Sequence, residues 1–177
     1  MYEKKPAFRF LVFTSILLLN IPFSVKSQQD MAAIPRDTII VAAREIIGSA
    51  PYCALVTVDE TGQPQVRTMN PFPLGSDFVI WFATSRDSRK VAEIQKESRV
   101  CVYYADHKTP QGYVNLMGKA TVIDDKELLK KMKRDYWSNI PNWENIFVLL
   151  KIEPVSMEVI NYKHGVNGNP GAPTIKF

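Results

Sequence analysis

The stretch WFATSRDSRKVAEIQKE, residues 81 to 97, holds the side chains best placed to do chemistry. A strand-like aromatic run there meets Ser85, Arg86, Asp87, Ser88, Arg89 and Lys90, after which apolar residues return at helical spacing. A strand feeding a helix leaves unpaired backbone N–H groups and the positive end of the helix dipole at one point. Ser and Asp are ordinary there, but Arg89 and Lys90 in a first turn oppose the dipole, at a cost of a few tenths to about 1 kcal/mol each. Two readings fit: a solvated turn, or an anion site in which the cations answer a phosphate.

Arg67, within QPQVRTM, adds a third cation. Its strand precedes FVIWFAT across one loop, so a hairpin would bring it near Ala83 and Thr84; an outward-facing strand Arg is the alternative. Arg67, Arg89 and Lys90 with the hydroxyls of Thr84 and Ser88 can hold a phosphate dianion, Arg through bidentate geometry and Lys as a point charge.

No other constellation competes. The chain has two histidines, His107 and His164, far apart in sequence and without a Ser-His-Asp or metal-ligand pattern around them. No metal site is expected, and His107 in ADHKTPQG reads as a loop residue. Cys53 in YCALVTV and Cys101 in RVCVYY lie in apolar runs, where a thiol packs as a small hydrophobe; two buried thiols are expected in preference to a bridge or a reactive site. Trp137 and Trp143 can cover a flat ligand or a subunit contact, with packing of a helix end as the simpler role.

Elements must position these residues. TIIVAAREIIGSA repeats Ile39, Ile40, Ala43, Ile46 and Ile47 at helical spacing, with Asp37 or Thr38 as cap and an end near Gly48. YCALVTV, QPQVRTM and FVIWFAT predict three strands of an antiparallel meander, and a helix over about residues 88–97 follows. RVCVYYAD and YVNLMGKATVI predict two more strands, and DDKELLKKMKRDYW a helix capped by Asp124 or Asp125. FVLLKIEPVSMEVINY predicts two strands broken at Pro154, ahead of a Gly- and Pro-rich loop. Six or seven antiparallel strands with inserted helices make a mainly β fold, a small barrel whose closure removes sheet edges.

Length and composition bound the rest. The 177 residues, 46% hydrophobic, suffice for one domain with a core. The first 27 join a basic start, an apolar run broken by Asn20 and Pro22, and a small-residue exit, the pattern of a cleaved export signal, with an uncleaved membrane anchor as the alternative. The expected domain is then 28–177, its core about 35–163, in an exported, periplasmic protein. Removing the leader lowers the net charge from +4 to +1, which leaves no basic surface for nucleic acid.

The ordered set resembles a family, the FMN-binding split barrels of the pyridoxamine 5'-phosphate oxidase type and, within it, the general stress protein branch. The matching residues are Arg67-Thr68-Met69-Asn70, Phe82-Ala83-Thr84 and Ser88-Arg89-Lys90 in family order, followed by barrel strands RVCVYY and YVNLMGKATVI with Gly118. The resemblance implies a six- to seven-stranded antiparallel split barrel that binds FMN. Arg67 to Asn70, Ala83 and Thr84 would lie along the flavin, Ser88, Arg89 and Lys90 at its phosphate, and Tyr113 where the family carries a flavin-reaching Gln. It also implies a homodimer that completes the flavin pocket. Phe72 replaces the Lys that true pyridoxamine phosphate oxidases carry five residues after the strand Arg, and a C-terminal Arg-x-His motif is absent. An FMN-dependent oxidoreductase other than a pyridoxamine phosphate oxidase is the expectation, with a substrate the sequence does not name. A flavin or haem carrier without turnover, for which His164 is the late axial candidate, and a barrel acting through protein contacts are the alternatives.

Overall fold

The computed structural model describes residues 34–168 and 171–177, so the leader expected over residues 1–27 lies outside the described residues. The chain opens with helix α1 (Arg36–Ser49), which buries Ile39, Ala42, Ala43, Ile46 and Ile47. Its spacing is as the sequence predicts, but its cap is Pro35, not Asp37 or Thr38. The Pro35 carbonyl accepts the Ile39 N–H at 3.2 Å, which places Asp37 inside the first turn, where its charge suits the dipole.

Strands β1 (Cys53–Val58), β2 (Pro64–Met69) and β3 (Ile80–Ser85) precede helix α2 (Arg89–Lys96). Strands β4 (Arg99–Ala105) and β5 (Gly112–Ile123) then lead through helix α3 (Lys126–Lys131) and a short 3-10 turn (Asp135–Asn139) to helix α4 (Trp143–Ile146). Strand β6 (Phe147–Asn161) and a final strand β7 (Thr174–Lys176) complete the antiparallel sheet, whose order is β2-β1-β4-β5-β6-β3 with β7 beside β6. The expected meander holds for β1 and β2 only. β3 pairs with β6 instead of β2, because its alternating buried residues Ile80, Phe82 and Thr84 match the long hydrophobic β6 in register from Ile80↔Ile152 to Ser85↔Phe147. The sheet therefore does not close by a ladder between β2 and β3. One backbone bond, Phe72 N–H to the Trp81 carbonyl at 2.9 Å, ties the loop after β2 to β3.

Pro154 does not break β6 into two strands. β3 pairs with β6 only as far as Ile152, and β7 begins at Ser156, so the missing N–H of Pro154 falls between two neighbours and costs no ladder bond. Across from it the register shifts between Met117 and Gly118, a bulge that bends the longest strand pair. β7 follows the loop predicted for the Gly- and Pro-rich tail, and it is held by one buried side chain, Ile175.

The expected long helix from Asp125 is also shorter. The Asp125 carboxylate caps α3 by accepting from the N–H groups of Glu127 at 2.9 Å and Leu128 at 3.0 Å. The chain leaves the helix at Met132, where Arg134 donates to the Asn70 and Pro71 carbonyls and Trp137 turns inward. Trp137 is fully buried, 5.0 Å from the Phe147 ring and 5.5 Å from that of Trp143, which gives it the packing role. The main core lies on the inner face of the curl, where Leu55, Phe82, Val102, Leu116 and Leu150 meet α1. Cys53 is on that inner face and buried, whereas Cys101 points from the outer face and is only half-buried, a correction to the expected burial. Both are free thiols. Among the described residues no helix is long and apolar enough to cross a membrane.

Candidate functional site

The site is built where β3 hands the chain to α2. Thr84, buried at the end of β3, lies with its hydroxyl 3.4 Å from that of Ser88, the N-cap of α2. The Ser88 side chain makes no capping bond, so the first-turn N–H groups of α2 are not closed off by it. Lys90, half-buried one residue into the helix, donates from Nζ to the Thr84 hydroxyl at 2.9 Å. Burial, and then the Arg67 charge, pull the Lys90 pKa below its ordinary value, against the opposing pull of Glu93.

Arg67 arrives by a different route from the one the sequence suggests. It sits on an edge strand distant from β3 in sheet order, but it faces inward, since it is paired with the fully buried Leu55. α2 packs across the inner face against β1 and β5, and that crossing brings the Arg67 guanidinium to the helix. The meeting point is a residue the sequence reading missed. Glu93 Oε2 accepts from Arg67 at 2.8 Å, while the fully buried Thr57 hydroxyl accepts from Arg67 and donates to the same Glu93 oxygen. Arg89 Nε lies 2.9 Å from Glu93 Oε1 as an ion pair outside hydrogen-bond geometry, and the other end of its guanidinium donates to Gln65 at 2.9 Å. Burial raises the pKa of the Glu93 carboxyl, but the Thr57 and Arg67 hydrogen bonds and the Arg67 and Arg89 charges outweigh it and hold the group below the usual carboxylate value.

The charge count follows from these contacts. Three cations, Arg67, Arg89 and Lys90, gather around one ionised carboxylate, a surplus of two positive charges. Arg86, in the same turn, is not part of it, because it forms a bidentate pair with Asp124 and donates to the Asn145 carbonyl at 3.1 Å. Signals for the missed pair were present: Thr57 occupies an inward register of YCALVTV, and Glu93 stands four residues after Arg89 on a helix face otherwise made by Val91 and Ile94.

The remaining candidates are placed apart. Met69 is buried beside Cys53, Thr68 and Asn70 are exposed, and Ala83 packs with the Trp137 cluster on the opposite side of β3 from Thr84. Tyr113 is on β5, on the outer face of the sheet, where it stacks 5.7 Å from Tyr103 and donates to Glu158 at 2.7 Å. That bond is the first cause of a phenol pKa pushed up to about 12. Tyr113 and Arg67 thus lie on opposite faces within one chain. Among the described residues, cavities of about 790, 610 and 360 Å³ flank the fold; the second meets the cluster at Arg89 and Glu93, and none of the three is lined by Arg67, Thr84 or Lys90. The cavity of about 790 Å³ runs along Arg44, Phe72, Tyr104 and Arg134. His107 stacks 6.5 Å from Tyr103, His164 pairs with Glu45, and the described residues hold no group of ligands suited to a metal.

A family model described as pyridoxamine 5'-phosphate oxidase matches residues 40–163. The chain belongs to this family. Among solved structures it is similar to general stress protein 26 of Bacillus anthracis, at 24% identity over 80% of this chain and 97% of that one, with a TM-score of 0.60. A general stress protein 26-related protein of the pyridoxinephosphate oxidase family from Clostridium acetobutylicum matches at 17% identity over 81% and 97% of the two chains, with a TM-score of 0.66. A pyridoxamine 5'-phosphate oxidase-related, FMN-binding protein of Nostoc punctiforme matches at 18% identity over 83% and 98%, with a TM-score of 0.56. No curated protein matches the chain. The mostly antiparallel, seven-stranded curled sheet is the split barrel of these relatives, as the sequence led one to expect.

Proposed function

We propose that this protein binds FMN by its phosphate at the β3–α2 junction and acts as an FMN-dependent oxidoreductase. The observation that carries the reading is the surplus of two positive charges around Glu93, in a cluster whose Lys90 has a hydroxyl, not a carboxylate, for its hydrogen-bond partner. A phosphate monoester dianion matches that surplus and restores the interactions that burial removes from Lys90. The residues present fit the group: Thr84 and Ser88 offer hydroxyls, Lys90 a point charge, and Arg67 and Arg89 guanidinium donors not committed to Glu93, Thr57 or Gln65.

Bound flavin supplies hydride or electron chemistry. The chain's residues anchor and orient it: the cluster fixes the phosphate end, and the backbone of Thr68 to Asn70 continues from it along β2. Arg134 holds that backbone through the Asn70 carbonyl. Phe72, packed edge-on to Trp137 at 6.3 Å and beneath the Arg134 guanidinium at 4.3 Å, brings no charge for a substrate phosphate, which favours a substrate other than a vitamin B6 phosphate. A homodimer belongs to the same proposal, with Tyr113, which faces away from the cluster within one chain, meeting a flavin held by the partner copy. The apolar leader supports export of the mature chain.

The test is native mass spectrometry of the mature protein with its co-purifying ligand, joined to a melting curve with added FMN. Bound FMN and a raised melting temperature are expected, as is reduction of the flavin by a nicotinamide or other donor. Lack of FMN binding removes the proposal, and binding without reduction by any donor leaves a carrier.

A further inference from the structure

Glu93 is an unusual occupant of an anion site, since a carboxylate repels the ligand it stands beside. It is 4% exposed at its side chain, the two guanidinium groups approach different oxygens of it, and Thr57 locks one of those oxygens from below. Arg67 and Arg89 come from different elements, an edge strand and a helix, and Glu93 is the group they share. Without it Arg67 keeps only the Thr57 hydroxyl and Arg89 only Gln65, and the freedom gained by each long side chain has to be removed again when an anion arrives.

We propose that Glu93 is the positioning residue of the anion site: it trades one unit of repulsion for two guanidinium groups held in place to receive a phosphate monoester. The inference rests on the flavin reading above and adds to it the group that makes the phosphate recognisable. The carboxylate serves Arg67 and Arg89 because its charge is shared by two oxygens, Oε2 accepting from Arg67 and Oε1 facing Arg89 as an ion pair. A Gln in its place has one, and its amide N–H₂ would face a guanidinium, so shape can be kept while positioning is lost.

The experiment compares wild type, Glu93→Gln and Thr57→Val, all as the full mature chain, by titration with FMN, with riboflavin and with inorganic phosphate. Thr57→Val removes the locking hydroxyl without changing charge and covers the case in which Glu93→Gln does not fold. Both variants are expected to loosen FMN, Glu93→Gln on the order of tenfold although it makes the site more positive, while riboflavin affinity stays within about twofold. Tighter or unchanged FMN binding in Glu93→Gln would overturn the inference, as would parallel losses for FMN and riboflavin, which mark a scaffold role. If the wild type binds phosphate but not FMN, the flavin reading falls and the phosphate arm alone decides: loss of phosphate binding in both variants supports Glu93, and retention overturns it. If the wild type binds neither, both fall.

Discussion

At the scale of single residues, Lys90 has a consequence that can be measured against pH. In the protein alone its pKa is lowered by burial first and by Arg67 next, so it loses its proton at a lower pH than an ordinary lysine. A bound phosphate dianion raises that pKa again, and between the two values binding must draw a proton from solution. FMN affinity should therefore be flat at neutral pH and fall as pH rises through the lowered Lys90 pKa. Lys90→Arg, always charged, should flatten that alkaline limb, and Lys90→Ala should loosen FMN by about 1–3 kcal/mol at neutral pH; titrations between neutral and alkaline pH decide. Arg89→Ala should weaken FMN within the same range, nearer its lower end, because its guanidinium is largely exposed and screened. Arg89 and Lys90 stood out in the sequence because cations at a helix start violate a local rule, and Thr84 and Ser88 are their neighbours in the chain; Arg67 joins them in the structure, but through α2 and not through the hairpin the sequence suggested. Thr57 and Glu93 were not legible, since their roles depend on which strand the helix crosses, and that is a tertiary fact.

At the scale of elements, the long β5–β6 pair sets the curl, and Gly118 is where it bends. A Cβ there would sit 2.6 Å from Ile152 Cγ2 and 2.7 Å from the Glu153 carbonyl oxygen, and the second of these is backbone that cannot rotate away. Gly118→Ala should therefore cost about 1–3 kcal/mol, read as a lower urea midpoint at unchanged slope. An unchanged midpoint would show that the bulge relaxes freely. Strands β1 to β5 were legible from their alternation, and α1 and α2 from their spacing, whereas β6 was read as two strands and β7 was not read at all. The strands' partners were not legible: pairing β3 with β6 joins residues 62 to 72 apart in sequence, and local pattern carries no information on which hydrophobic strand wins that competition. Pro154 misled for the same reason, since its cost depends on neighbours that only the assembled sheet defines.

At the scale of the whole molecule, one row of side chains crosses four strands on the outer face: Val66, Val56, Cys101 and Met117, aligned by register. Val66 is 66% exposed and Met117 41%, which leaves much of an apolar stripe in water on the face that also carries Tyr113. A second copy seated on that face would cover the stripe, and the homodimer proposed above is expected to form there. Val66→Glu and Met117→Glu place charge on exposed positions, so the fold should tolerate each within about 0.5 kcal/mol. A dimer built on this face should instead weaken, because each substitution enters the interface twice by symmetry and buries two uncompensated charges. Sedimentation of the wild type should give twice the mass of the double variant, and FMN affinity should fall with the loss of the dimer. A double variant that stays dimeric would place the subunit contact on another face, and a monomeric wild type that binds FMN fully would remove the dimer, and with it any part for Tyr113, from the site.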